Sequence, residues 1–459
     1  MGRTILADDR IQAYVDKLLS SNTWFLGTII GKLTNQKDYA VHIVKTPEPL
    51  EDSASVDQEP EEGSQNPQQK SQTRPAELAD IKEQWAATHA KQVSMMLPGG
   101  LDIIGIFAVA PPAMMQAAQV KLRQILFAIQ KQEKKSSVAD LGHEIGERIL
   151  LQICSTTRKY TCRTIDVQDP KSAFRPAEWR SQSTGDRWLR LEAELALNIP
   201  IYVSSKMKGT NLAKQIQTGL QPYFKSVCTS LMLVDNTLRQ EMEILDQSTD
   251  RKGKSKDISA NQSSYSCNIF LKHPSSPDTT EPSVIDCTTQ LVIKGKMHGR
   301  AYVIGKATVK EAQNAMRTDI IRSIQSRCEL LSDDIQVVED DIETHEVYST
   351  PRRVFFQLPG SSLQLCDYMF QDEKFTEVRG RVRELLDLTL EEDDLDLSFE
   401  QPATEEDCCE LSVAPGQSSA ASAEVTKSNQ GVTYYIMAGV GGALALAAAV
   451  VSYLNTPDT

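Results

Sequence analysis

Nothing in this sequence brings two histidines together. The six, His42, His89, His143, His273, His298 and His345, stand alone, with no H-x-H, H-x-x-x-H or H-x-x-E-H pattern. A zinc site needs three or four converging ligands, and none is written locally. C-x-x-C pairs are missing as well. The nine cysteines (Cys154, Cys162, Cys228, Cys267, Cys287, Cys328, Cys366, Cys408 and Cys409) are odd in number and widely spread, which argues against a disulfide framework or a zinc knuckle. Reduced thiols on the cytosolic side are therefore expected. Cys154, Cys162 and Cys228 fall in apolar, strand-like runs, where inert buried thiols are the ordinary case. The start, MGRTILADD, carries Asp8 and Asp9 and has no apolar core, so no signal peptide is expected. Leu6 stands where a myristoylation signal needs Ser or Thr. VIGKAT (Val303–Thr308) echoes the end of a P-loop, but Arg300 replaces its first glycine and Ala307 its final hydroxyl. KGKSK (Lys252–Lys256) has no interleaved aromatic residue, so no nucleic-acid partner is expected.

Charge is the next guide. The formal net charge is −13, yet three runs, Glu48–Glu62, Asp333–Glu346 and Glu391–Glu410, hold 24 acids and no Lys or Arg. Setting those 24 aside turns −13 into +11 for the remainder. The acidity is expected to lie in linkers, and the folded part to be mildly basic.

The far end supplies the clearest signal. Gly431–Leu454 is 24 residues long and carries no charge. At about 1.5 Å per residue, a helix of that length crosses a hydrocarbon core of about 30 Å with some tilt. Tyr434, Tyr435 and Tyr453 sit near its ends, where interfacial aromatics belong. With no signal peptide, this reads as a single transmembrane tail anchor with the bulk of the chain cytosolic. Its Ala and Gly content and sparse tail charges favour the endoplasmic reticulum over the outer mitochondrial membrane. Small residues spaced four apart (Ala438/Gly442, Gly439/Ala443, Gly441/Ala445) would let another helix approach closely.

Elsewhere the periodicities alternate between helix and strand, which predicts an α/β (α+β) protein. A first unit covers 1–205, with a disordered Pro-, Gln-, Ser- and acid-rich insertion at about 47–78. A second α/β unit covers 206–390, and 391–430 reads as an acidic disordered linker. Forty flexible residues would reach roughly 35 Å. Within the first unit, Asp8–Leu19 and Ala79–Met96 fit helices, and Trp24–Thr34 and Asp38–Pro47 fit strands. Asp169–Gln182 reads as a loop, and Trp188–Val203 as its last strand.

One stretch has the outline of an active-site corner: LPGGLDIIGIFAVAPP, Leu97–Pro112. It resembles the MPN fold of the JAMM metalloprotease class, whose active members carry G-W-Y-H-S-H-P there and hold zinc with the two histidines and a nearby Asp. Gly105, Ile106, Phe107 and Pro111 match in kind, but Ala108 and Ala110 occupy the two histidine places. The Asp is missing too: after Asp102 the next acid is Glu133. The resemblance thus implies an inactive MPN-like domain, with no metal, cofactor or catalytic residue, of a kind that pairs with a catalytic relative.

A second resemblance covers nearly the whole chain. MGRT at the start, NQKDYAV (Asn35–Val41), WAATHAKQVSMMLPGGL (Trp85–Leu101), CSTTRKYTCRTIDVQDPKSAFRPAEW (Cys154–Trp179), RVFFQLPGSSLQLCDY (Arg353–Tyr368) and the C-terminal anchor resemble the odorant response abnormal protein 4 family. That resemblance implies a non-catalytic membrane adaptor of the endoplasmic reticulum that helps a subset of G-protein-coupled receptors mature and traffic. It also implies a heterodimer with the cysteine protease specific for the ubiquitin-fold modifier, recruited to that membrane. Two other readings stay open: a receptor-binding chaperone acting through its transmembrane helix, and an isopeptidase with an unrecognised site.

Overall fold

The computed structural model describes residues 2–21, 23–35, 37–48, 75–134, 145–182, 188–203, 210–246, 264–271, 289–337, 347–401 and 433–438. Seven strands close into a barrel: β1 (Thr4–Asp8), β2 (Phe25–Lys32), β3 (Asp38–Lys45), β4 (Asp102–Ala110), β5 (Glu147–Cys154), β6 (Tyr160–Asp166) and β7 (Arg175–Gln182), in the order β1-β3-β2-β4-β5-β6-β7. Helix α1 (Asp9–Leu19) begins at Asp8, whose carboxylate accepts the Arg10 backbone N–H at 3.0 Å. Its apolar stripe, Ile11, Val15 and Leu18, packs with Ile29, Phe107, Val109 and Ile149. The opposite face of β4, with Ile106, Ala108 and Ala110, packs with α2 (Glu83–Met95) and α4 (Gln119–Glu133). A short helix, α3 (Pro112–Ala117), follows β4 directly. Covered on both faces, β4 needs its nearly unbroken apolar run.

The loop expected at Asp169–Gln182 is half wrong, because Arg175–Gln182 is β7. It pairs antiparallel with β6 and parallel with β1, closing the barrel. β7 carries charge on exposed positions, so its strand character depends on two distant neighbours rather than on an apolar pattern. The first residues gain a role as well. Arg3 donates to Asp38 (2.7 Å), Glu147 (2.7 Å) and the Thr34 carbonyl (2.5 Å), tying three separated parts of the barrel together.

A second sheet contains β8 (Trp188–Val203), β9 (Leu231–Val234), β10 (Ser264–Phe270), β11 (Thr289–Ile304) and β12 (Val347–Ser349). β8 and β11 run antiparallel from Trp188↔Ile304 to Val203↔Thr289. The first unit therefore does not extend to residue 205: Trp188–Val203 belongs to the second sheet, since its 16-residue partner lies a hundred residues downstream. Alternate residues of β8, Leu189 to Val203, are buried under α5 (Leu212–Cys228) and α6 (Val309–Val337). β13 (Arg352–Gln357), β14 (Gln364–Met369), α7 (Phe375–Leu386) and β15 (Leu395–Asp396) then return to the barrel side, and Val354, Phe356, Leu365 and Val382 join the core of α2 and α4.

Two expectations for the C-terminal part change. Residues 391–401 are ordered rather than linker: a 3-10 turn at Glu392–Asp394 leads into β15, and Glu400 is 2% exposed. Their acids read as a solvated run, yet one of them is the buried partner of an arginine. Further on, Thr433–Ala438, inside the expected transmembrane helix, forms β16, which lies between β11 and β12 and runs parallel to both. TYYIMA is rich in aromatic and β-branched residues, which favour strands. The rest of that span, residues 47–78 for the most part, and 402–430 lie outside the described residues. Among the described residues, no helix is long and apolar enough to cross a membrane.

Candidate functional site at the end of β4

Ala108 and Ala110, where zinc-binding histidines would stand, are both fully buried. Two residues apart on one strand, they share the face that α2 and α4 cover. Ala108 lies opposite Leu26 on β2 and Gln152 on β5, and Ala110 lies beside Cys154. The Ser155 N–H caps the Ala110 carbonyl at 3.1 Å, and Pro111 and Pro112 open α3. Among the described residues, no three His, Cys, Asp or Glu side chains converge as a metal site.

The histidines the structure describes are elsewhere and are built into packing. His89, on α2, is 2% exposed, and its Nε2 donates to the Leu385 carbonyl at 3.0 Å. Desolvation pushes its pKa down to about 4. His42, beside Tyr14, is likewise pushed down to about 4 by burial. His298 stacks edge-on against Phe399 at 5.1 Å. His143, His273 and His345 lie outside the described residues.

A pH prediction follows from His89. Above pH 6.5 its imidazole is neutral in both the folded and the unfolded chain. Below 6.5 the unfolded chain takes up a proton that the folded chain refuses until about pH 4. Stability should fall as pH drops through that window, by roughly 3 kcal/mol from this group at its lower end. His89→Gln keeps a donor for Leu385 and removes the titration. Urea midpoints at pH 7 and pH 4.5 should differ less for this variant than for the natural chain.

The Pro-Gly-Gly turn that gave the corner its catalytic outline is instead a docking point. Gly99 donates to the Arg300 carbonyl (3.1 Å) and accepts from the Tyr302 N–H (2.8 Å), joining the turn to β11. Gly100 sits at φ +84, and a Cβ there would come within 1.9 Å of the Tyr302 carbonyl. No side chain fits. Arg322 on α6 donates to the carbonyls of Leu97 (3.1 Å) and Leu101 (3.0 Å) and to Asp102 (2.5 Å). Asp102, the one acid of the stretch, is thus an anchor for α6.

Beneath the turn lies a buried ion pair that sequence reasoning missed. Arg353 on β13 grips Asp319 on α6 in a two-point contact (2.7 and 2.8 Å), with both side chains at most 1% exposed. Asp319 also accepts the N–H groups of Gly99 and Arg300, each at 2.8 Å. With four donors around it, the carboxylate holds the Arg353 guanidinium charged, well above its ordinary range. A second pair joins Arg327 on α6 to Glu400 (2.7 and 2.8 Å), and Glu400 also accepts from the backbone of Arg353 and His298. No periodicity signals either pair, because the partners are distant in sequence.

A cleft of about 800 Å³ separates the barrel from α5 and α6. Three ion pairs line it, Lys91 with Glu329, Asp102 with Arg322 and Glu133 with Arg148. The smaller pocket beside Ala110, about 380 Å³, is the one that reaches the corner.

The architecture is a mixed α/β chain in which a seven-stranded barrel carries a corner without ligands and is locked to a second sheet by buried arginine–carboxylate pairs. The Odorant response abnormal 4-like family matches residues 27–397, so the chain belongs to that family. It is 32% identical over 406 residues to the Protein odr-4 homolog of Mus musculus, covering 87% of this chain and 86% of that protein. The Homo sapiens Protein odr-4 homolog is 31% identical over 409 residues, with 87% and 86% covered. Odorant response abnormal protein 4 of Caenorhabditis elegans is 22% identical over 345 residues, with 71% and 68% covered.

Proposed function

We propose that this protein is a non-catalytic adaptor at the endoplasmic reticulum membrane. Its barrel is an inactive MPN-like docking module. It supports the maturation of a subset of G-protein-coupled receptors and recruits the ubiquitin-fold-modifier protease. The observation that carries the reading is the corner itself, with two fully buried alanines where a metallopeptidase needs ligands, in a chain that belongs to the family. The uncharged Gly431–Leu454 supports membrane attachment. In this reading Thr433–Ala438 exchanges its pairing with β11 and β12 for the bilayer, because burying 24 uncharged residues in hydrocarbon outweighs one six-residue strand.

The test compares cells lacking this chain with cells given the full chain, a chain ending at residue 430, or a chain with an unrelated anchor in place of 431–454. The protease should be membrane-bound with the full and anchor-swapped chains and soluble with the shortened one. A protease that stays on membranes without this chain overturns recruitment. Receptor trafficking lost on anchor exchange alone would favour receptor contact through the span. Cleavage of modifier conjugates by the purified chain would favour an isopeptidase.

A further inference from the structure

The pocket beside Ala110 contains an unanswered donor and an accessible thiol. Gln152, on β5, is 5% exposed, lines this pocket, and its Nε2 has no hydrogen-bond partner among the described residues. Two residues on, Cys154 ends β5 half-buried on the pocket wall. The chain then turns tightly: the Arg158 N–H donates to the Cys154 carbonyl at 2.9 Å, and Arg158 takes φ 56. That turn brings the Thr157 N–H to the Cys154 sulfur at 3.4 Å. Lys159 and Arg163, four residues apart on the β6 side, complete the rim, and no carboxylate lies in the lining. Among the described residues, Arg163 donates to the Gln119 amide oxygen at 3.4 Å.

Four buried cysteines contrast with this one. Burial pushes Cys162, Cys267 and Cys328 up to about 12, and raises Cys366 as well. The Thr157 hydroxyl first, then the Thr157 and Thr156 N–H groups, pull the Cys154 thiol below its ordinary range. Thiolate is the reactive form in exchange with disulfides.

We infer that Cys154 is a thiol–disulfide exchange site for small anionic disulfides, seated by Gln152, Lys159 and Arg163. In the step, the Cys154 thiolate attacks one sulfur of the disulfide R–S–S–R. The S–S bond of the small disulfide breaks as a Cys154–S–S–R bond forms, and the other half leaves as the thiolate R–S⁻, which takes up a proton from water. Cys154 is oxidised and half of the small disulfide is reduced. A carboxylate or amide carbonyl of R takes the Gln152 donor, and the basic rim takes the negative charge. A thiol in excess reverses the step.

The experiment uses the reduced full chain in detergent micelles, treated at pH 7 with oxidised glutathione (anionic) or cystamine (cationic), and reads each cysteine by mass spectrometry. Cys154 should form its mixed disulfide about tenfold faster with glutathione than with cystamine, and faster than the half-buried Cys228. Replacing both Lys159 and Arg163 by Gln should bring the two rates together. Gln152→Leu should slow exchange with glutathione while leaving alkylation of Cys154 by iodoacetamide unchanged. Equal rates for the two disulfides in the natural chain, or Cys154 no faster than Cys228, overturns the inference.

Discussion

Asp319→Asn should cost about 3–5 kcal/mol of folding stability, the range for breaking one side of a buried pair. Asp319 is fully buried and accepts from Arg353 twice, from Gly99 and from Arg300. An asparagine would keep one acceptor oxygen and turn an NH2 group toward donors. Arg353, 1% exposed, would then be left as an uncompensated charge. Arg353→Met should cost less, since the Asp319 carboxylate retains its two backbone donors and can take up a proton. Replacing both side chains by apolar ones should not restore stability, because the Gly99 and Arg300 N–H groups would lose their acceptor. Equilibrium urea unfolding followed by intrinsic fluorescence checks the order. An Asp319→Asn chain within about 1 kcal/mol of the natural one would mean that the pair does not lock the two parts.

The second large effect concerns where the folded part ends. A chain stopped at residue 401 should fold like the full chain, and one stopped at 390 should not. The eleven residues between include Phe399, stacked on the Arg300 guanidinium at 3.8 Å, and Glu400, which pairs with Arg327. Without Glu400, Arg327 is a charge 3% exposed and unpaired, and the Arg353 and His298 N–H groups lose an acceptor. The expected loss is again about 3–5 kcal/mol, or roughly 5 °C in melting temperature for a chain of this size. Glu400→Gln in the full chain should reproduce most of it, which separates the lost carboxylate from lost chain length. Equal melting temperatures for the 390 and 401 chains would show that the acidic segment only decorates the surface.

Each of these effects depends on a contact with no local trace. The sequence does show that β4 is buried on both faces, because no polar residue interrupts Ile103–Ala110. It shows that β8 has one buried face, through alternation at every second position. It also shows that the corner lacks ligands, because that is a matter of residue identity. Periodicity tells which face of an element is covered, but not by what. Hence Trp188–Val203 is legible as a strand, while its place beside Thr289–Ile304 is not. Arg175–Gln182 has charges on open positions and becomes a strand only because β1 and β6 flank it. Composition is equally silent about individual residues. Among the acids of 391–410, Glu400 looks like the others until Arg327 is placed against it.

The stretch Leu97–Pro112 divides along the same line. Its residue types alone determine that it cannot hold zinc as the resembled class does, since alanine offers no lone pair. Its Pro-Gly-Gly turn gave it the outline of an active-site corner, but the purpose of its glycines and its single acid was decided elsewhere in the chain. Gly99 and Gly100 let β11 approach, and Asp102 meets Arg322. Local residue types set what chemistry is possible, and long-range packing, which desolvates charges and pairs them, set what those residues do.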